Sequence, residues 1–140
     1  MIRAMLLLCL LAAPPPKTTV YLFTRTDCPI SNRYAPEVKR LYERYGKPVD
    51  FILVYPDRDL TAEAREKHRR EFGYPMPAIP DPRHDLVRKT GVRVTPEAAV
   101  YVGARLVYRG RIDDRYVAFG QSRPAASKHD LDEVLAAIES

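Results

Sequence analysis

The chain has 140 residues, of which 46% are apolar and 29% charged, a balance that suits one globular domain and excludes disorder or a fibre. A chain of this length buries roughly two-thirds of its unfolded surface, so it needs no metal or disulfide scaffold to fold. Its two cysteines, Cys9 and Cys28, are too few for a disulfide framework. The net charge of +5 is spread among acids rather than clustered, which points away from nucleic acid as a partner.

Residues 1–16 read as a targeting segment. Met1-Ile2-Arg3 is a basic start, Ala4 to Ala13 is apolar, and Pro14-Pro15-Pro16 breaks the run. Ala12 and Ala13 are the candidate cleavage positions. The expectation is an exported protein, periplasmic or secreted, whose folded domain spans 17–140. Membrane attachment is expected only through an uncleaved N-terminal segment, because no run of 18 apolar residues exists. Cleavage removes Cys9 and leaves Cys28 as the one thiol of the mature chain.

Thr19 to Phe23 reads as a strand and Thr24 to Ile30 as a loop. From Ser31 to Tyr45 the apolar residues recur at helical spacing, with Pro36 kinking the helix or marking its first turns and Tyr34, Tyr42 and Tyr45 facing the core. Val49 to Tyr55 is a nearly continuous apolar run, as in a strand buried on both faces. Thr61 to Phe72 is helical, with acids early and bases late. Tyr74 to Pro82 is extended and proline-rich, and Arg83 to Thr90 is a short helix. Glu97 to Val102 and Arg105 to Ile112 form an antiparallel hairpin about Gly103-Ala104. Asp113 to Lys128 has no clear period, and Asp113 to Gly120 within it reads as an exposed loop with two buried aromatics. A last helix runs from Asp130 to Ile138, with Asp130 and Glu133 as a capping box. The expected class is α/β, with a mixed sheet that is parallel in its early βαβ units and antiparallel in its C-terminal hairpin.

The sharpest local signal is Asp27-Cys28-Pro29-Ile30-Ser31. A thiolate placed after a strand and at the start of a helix faces unpaired backbone N–H groups and the positive end of the helix dipole, which lowers its pKa. Ser31 can bond the sulfur through its hydroxyl or its N–H, and Arg25 and Arg33 add positive potential. Each residue also has an ordinary reading: Cys28 as an inert buried thiol, Ser31 as a helix-start residue, the arginines as solvated charges.

The strand, loop and Cys-x-x-Ser, followed by Ala35-Pro36 seven and eight residues after Cys28, resemble the active-site helix of the thioredoxin superfamily. Gly91-Val92-Arg93-Val94-Thr95-Pro96 resembles that superfamily's second signature, whose proline is cis and lies beside the active cysteine. The 67-residue separation of Cys28 from Thr95 and the additional helix resemble the redoxin branch, which includes alkyl hydroperoxide reductase, thiol-specific antioxidant and exported thioredoxin-like proteins. The resemblance implies a thioredoxin-like fold, Cys28 and Ser31 as catalytic residues, and Thr95 and Pro96 as the substrate groove. It implies support of the thiolate or substrate by Arg25, Arg33 or Arg115.

Three positions depart from the pattern. Asp27 replaces the tryptophan before the cysteine, Ser31 replaces the second cysteine, and Arg25 stands where the peroxidase pattern has threonine. The first expectation is therefore a monothiol thiol-disulfide oxidoreductase. It needs an external thiol or dithiol reductant and acts on a protein disulfide. A one-Cys peroxidase acting on a peroxide is the enzymatic alternative, and a non-catalytic partner-binding module the other. No cofactor is expected. No metal is expected either, because His68, His84 and His129 are scattered and a single mature cysteine remains.

Overall fold

The computed structural model describes residues 12–140. Cys9 and most of the expected targeting segment therefore lie outside the described residues. Five strands form the main sheet in the order β3-β2-β1-β4-β5. They are β1 (Thr18–Phe23), β2 (Val49–Tyr55), β3 (Ala78–Pro80), β4 (Glu97–Val102) and β5 (Arg105–Gly110). β2 pairs parallel to both β1 and β3, whereas β4 runs antiparallel to both β1 and β5. The mixed α/β sheet expected from the sequence is thus present.

Alternation along the central strands builds two cores. Val20, Leu22, Phe51, Leu53, Tyr55, Ala98 and Val100 face one side. There they meet α2 (Ala35–Tyr45) through Val38 and Leu41, and α5 (Asp130–Glu139) through Leu131 and Leu135. The intervening residues Phe23, Val54, Ala99 and Tyr101 face the other side, against Leu86 and Val87 of α4 (Asp85–Thr90). Because side chains alternate with period two, each central strand is buried on both faces, which is why β2 reads as a continuous apolar run.

The helix expected from Ser31 to Tyr45 is divided. α1 (Pro29–Arg33) ends at Tyr34 and α2 begins at Ala35. Pro36 has no N–H to give the Asn32 carbonyl, so the ladder breaks where that bond would form. Tyr34 and Tyr45 are buried and Tyr42 packs against the same core.

Four local expectations need correction. The proline-rich stretch 74–82 contains a strand, β3, held to β2 at the sheet edge, where prolines are tolerated. The segment 113–128 contains a small hairpin, β6 (Tyr116–Ala118) with β7 (Gln121–Ser122), and its Phe119 is 85% exposed rather than buried. α5 has no capping box: its N-cap is His129, which makes no side-chain capping bond, and Asp130 pairs with Arg111 at 2.7 Å. The short helix starts at Asp85, not Arg83. His84 before it is left-handed (φ 59°), and the buried Asp81 carboxylate caps it by accepting from Leu86 and Val87 N–H at 3.2 and 3.0 Å.

Candidate active site

β1 ends at the bottom of a loop whose last residue, Cys28, is the N-cap of α1. The half-buried sulfur accepts the Ser31 N–H at 3.4 Å, and the thiol donates to the Thr95 carbonyl at 3.4 Å. The Thr95–Pro96 peptide is cis, and the chain then enters β4 beside β1. Cys28 and Ser31 therefore meet Thr95, 67 positions beyond Cys28 in sequence, and Pro96 at the C-terminal end of β1.

The thiol is held below its ordinary pKa. Burial of the sulfur is the largest single influence and works upward. The Ser31 hydroxyl and N–H, Thr95 and the Ile30 N–H together outweigh it. The bond from the thiol to the Thr95 carbonyl favours the protonated form, so the thiolate depends on the donors around Ser31. Ser31 is 1% exposed, and its hydroxyl makes no hydrogen bond to another group, which leaves its proton for the thiolate. Because α1 has only five residues, its macrodipole is short, and the local N–H groups carry the effect that the sequence assigned to a longer helix.

None of the three arginines hydrogen-bonds the sulfur. Arg25 pairs with Asp27 at 3.1 Å and Asp57 at 3.0 Å. Arg33 is exposed on α1. Arg115 lines a different cavity with Tyr34, Glu37 and Asp113, where its backbone N–H donates to Asp113 at 2.8 Å. In that cavity Glu37, Asp113 and His129 bring one ligand atom each within 4.8 Å of one another. Arg40 forks onto Glu37 at 2.7 and 2.8 Å, and the Tyr34 hydroxyl donates to Asp113. With Arg33, Arg40 and Arg115 all on its walls, the cavity opposes a cation.

Residues that sequence reasoning passed over brace both halves of the site. The Glu97 carboxylate, buried at the start of β4, accepts Arg93 N–H at 2.8 Å and Val94 N–H at 3.2 Å, fixing the turn that presents Thr95. On the other half, the Asn32 amide donates to the Thr26 carbonyl at 3.1 Å. Asn32 is held in turn by His68 of α3 (Ala62–Glu71), which also meets the Tyr55 hydroxyl at 2.8 Å. Tyr74 lies beneath Ser31, donates to its carbonyl at 3.5 Å, and has its phenol pushed up to about 12, chiefly by burial. The signal for Glu97 was an acid directly after the Thr-Pro pair; for His68 it was a histidine in an otherwise charged helix.

No protein-family model matches the chain, and no curated protein matches it. Solved structures do. An uncharacterized conserved protein from Geobacillus kaustophilus superposes with a TM-score of 0.69 at 25% identity, covering 88% of this chain and 65% of its own. This chain therefore spans just under two-thirds of that relative's length. A secreted Mycobacterium tuberculosis disulfide oxidoreductase homologous to E. coli DsbE superposes with a TM-score of 0.62 at 18% identity, covering 86% and 81% of the two chains. A thioredoxin-like protein from Aeropyrum pernix gives 0.62 at 18% identity, covering 90% and 78%. The fold is thioredoxin-like. Within this thioredoxin-like fold, the Cys28 sulfur stands where β1, α1 and the cis-proline turn converge.

Proposed function

We propose that this protein is a monothiol thiol-disulfide oxidoreductase of the redoxin branch, exported by its N-terminal segment, in which residues 17–140 form the working domain. The observation that carries the reading is the half-buried Cys28 sulfur. It accepts the Ser31 N–H, touches the Thr95 carbonyl, and has a pKa lowered below the ordinary thiol value. A lowered pKa raises the fraction of nucleophilic thiolate at neutral pH, and partial exposure lets a substrate reach it.

The thiolate attacks one sulfur of a substrate disulfide. The substrate S–S bond breaks, a Cys28–substrate disulfide forms, and the second substrate sulfur leaves as a thiolate that takes a proton from water. Ser31 has no thiol to complete the cycle. An external thiol therefore attacks the mixed disulfide, frees Cys28 as thiolate, and leaves as a disulfide with the substrate sulfur. The exchange consumes one external thiol and releases one substrate thiol. Thr95, in the cis-proline turn, presents backbone groups to an extended substrate.

Protein disulfides are favoured over peroxide by the arginine positions. Peroxide activation asks for a cationic donor over the sulfur; Arg25 is engaged with Asp27 and Asp57, Arg115 lines another cavity, and the sulfur's hydrogen-bond partners, Ser31 N–H and the Thr95 carbonyl, include no arginine, Arg33 among them. The two chemistries are separated by single-turnover rates of the reduced protein with hydrogen peroxide and with a protein disulfide, each followed by intact mass. The account expects a Cys28 adduct with the disulfide and slow oxidation by peroxide. Fast peroxide oxidation with no disulfide adduct overturns it.

A further inference from the structure

Two cavities are lined by immediate neighbours of the thiol, though not by Cys28 itself. One, of about 290 Å³, is lined by Thr95, whose carbonyl meets the thiol, and by Phe23, Arg25, Val92, Arg93 and Val94. The other, of about 260 Å³, is lined by Pro29 and Ile30, which follow Cys28 in the chain, and by Arg33 and Phe119 of the β6–β7 hairpin. No carboxylate lines either cavity. Apolar side chains stand open to solvent at both: Val94 is 63% exposed and Phe119 is 85% exposed. Large apolar groups left in water around a reactive atom mark a contact surface.

The charges say what that surface takes. Arg25 belongs to a cluster with Asp27 and Asp57, which is net negative and leaves its guanidinium already paired. Arg93 and Arg33 are exposed and, among the described residues, have no ion-pair partner. One stands at each cavity. We propose that the surface across Cys28 receives a cysteine-bearing polypeptide segment with carboxylates on both sides of its cysteine, set over Arg93 and Arg33, and an apolar side chain against Val94 or Phe119. A polypeptide fits better than a small disulfide because the two arginines belong to separate cavities, one on each approach to the sulfur. The inference deepens the oxidoreductase reading and rests on it.

The test uses the full reduced chain and three synthetic peptides. Each carries one cysteine as its disulfide with 2-mercaptoethanol, flanked by Glu, Lys or Ser. Bis(2-hydroxyethyl) disulfide serves as a neutral reference. At low salt the Glu peptide is expected to react about tenfold or more faster than the Lys peptide, and the ratio collapses as salt screens the arginines. R33E combined with R93E inverts that preference while the neutral reference rate holds, which also shows that the variant is folded. F119A slows the Glu peptide several-fold without changing the reference. Equal Glu and Lys rates alongside a reactive neutral disulfide overturn this inference and leave the oxidoreductase reading standing. Failure of every disulfide, the reference included, overturns both.

Discussion

His68 Nε2 lies 2.7 Å from Asn32 Oδ1, joining a helix between β2 and β3 to the helix that starts at Cys28. The other ring nitrogen meets the Tyr55 hydroxyl, so the neutral ring accepts from tyrosine at Nδ1 and donates to asparagine at Nε2. The Asn32 amide passes the restraint to the Thr26 carbonyl, two residues before the cysteine. A chain of buried and half-buried groups thus ties the loop of Cys28 to β2 and α3.

His68→Leu breaks this chain and leaves the Asn32 oxygen and Tyr55 hydroxyl without their partner. The expected loss is about 1–3 kcal/mol of stability, measured by urea unfolding. His68→Gln retains a donor and an acceptor and loses less. Equal stability of wild type and His68→Leu contradicts the restraint.

The same histidine gives stability a pH dependence. Burial lowers its folded pKa below the unfolded value of about 6.5, with Glu71 and Asp57 working the other way. Above that value its contribution is complete. As pH falls towards the lower folded value, the unfolded chain takes up a proton that the folded chain refuses, and stability drops. Urea unfolding between pH 7 and 5 should show this drop in wild type and a flatter profile in His68→Gln.

Ser31→Ala removes the hydroxyl left for the thiolate but keeps the N–H. The Cys28 midpoint, read from the pH dependence of iodoacetamide alkylation, moves up towards the ordinary thiol value while the fold is retained. An unchanged midpoint assigns the lowering to backbone donors alone.

Glu97→Ala frees the Arg93 and Val94 N–H groups and loosens the turn that carries Thr95. Hydrogen bonds to a carboxylate are among the stronger ones, so a loss of about 1.5–3 kcal/mol is expected. Hydrogen exchange at 93–95 should rise more than at the centre of β4. Uniform exchange across the domain contradicts a local brace.

Asp114 anchors the hairpin segment. Its carboxyl is held well below the usual carboxylate range, first by Lys128 N–H and then by the Ser127 hydroxyl and N–H, with burial opposing. Its contribution is therefore present above the unfolded carboxylate value of about 3.9 and is lost as pH falls towards the lower folded value. Asp114→Asn should speed proteolysis of 113–128 at neutral pH and leave the five-stranded sheet intact.

Much of the fold could be read in the sequence because alternation and helical spacing are local. β1, β2 and the β4–β5 hairpin carry their burial pattern in their own residues. β3 was hidden because its three residues sit among prolines and gain strand character only by pairing with β2. β6 and β7 were hidden because the hairpin turns only Tyr116 inward and leaves Val117 and Phe119 exposed, too little alternation to mark a strand. The meeting of Cys28, Ser31, Thr95 and Pro96 followed from two motifs. The braces at His68, Asn32 and Glu97 did not, because each depends on a tertiary approach between elements. Arg25, Arg33 and Arg115 show the same limit: sequence neighbourhood put positive charge near the thiol, whereas Asp27, Asp57 and Asp113 decide where two of these residues are held.

The central claim is tested most directly by reacting the reduced protein with bis(2-hydroxyethyl) disulfide across pH and following Cys28 by intact mass. The account predicts a mixed disulfide on Cys28 that forms at neutral pH, with a midpoint below that of an ordinary thiol, and is released by added thiol. A midpoint at or above the ordinary value, or no adduct at all, contradicts it.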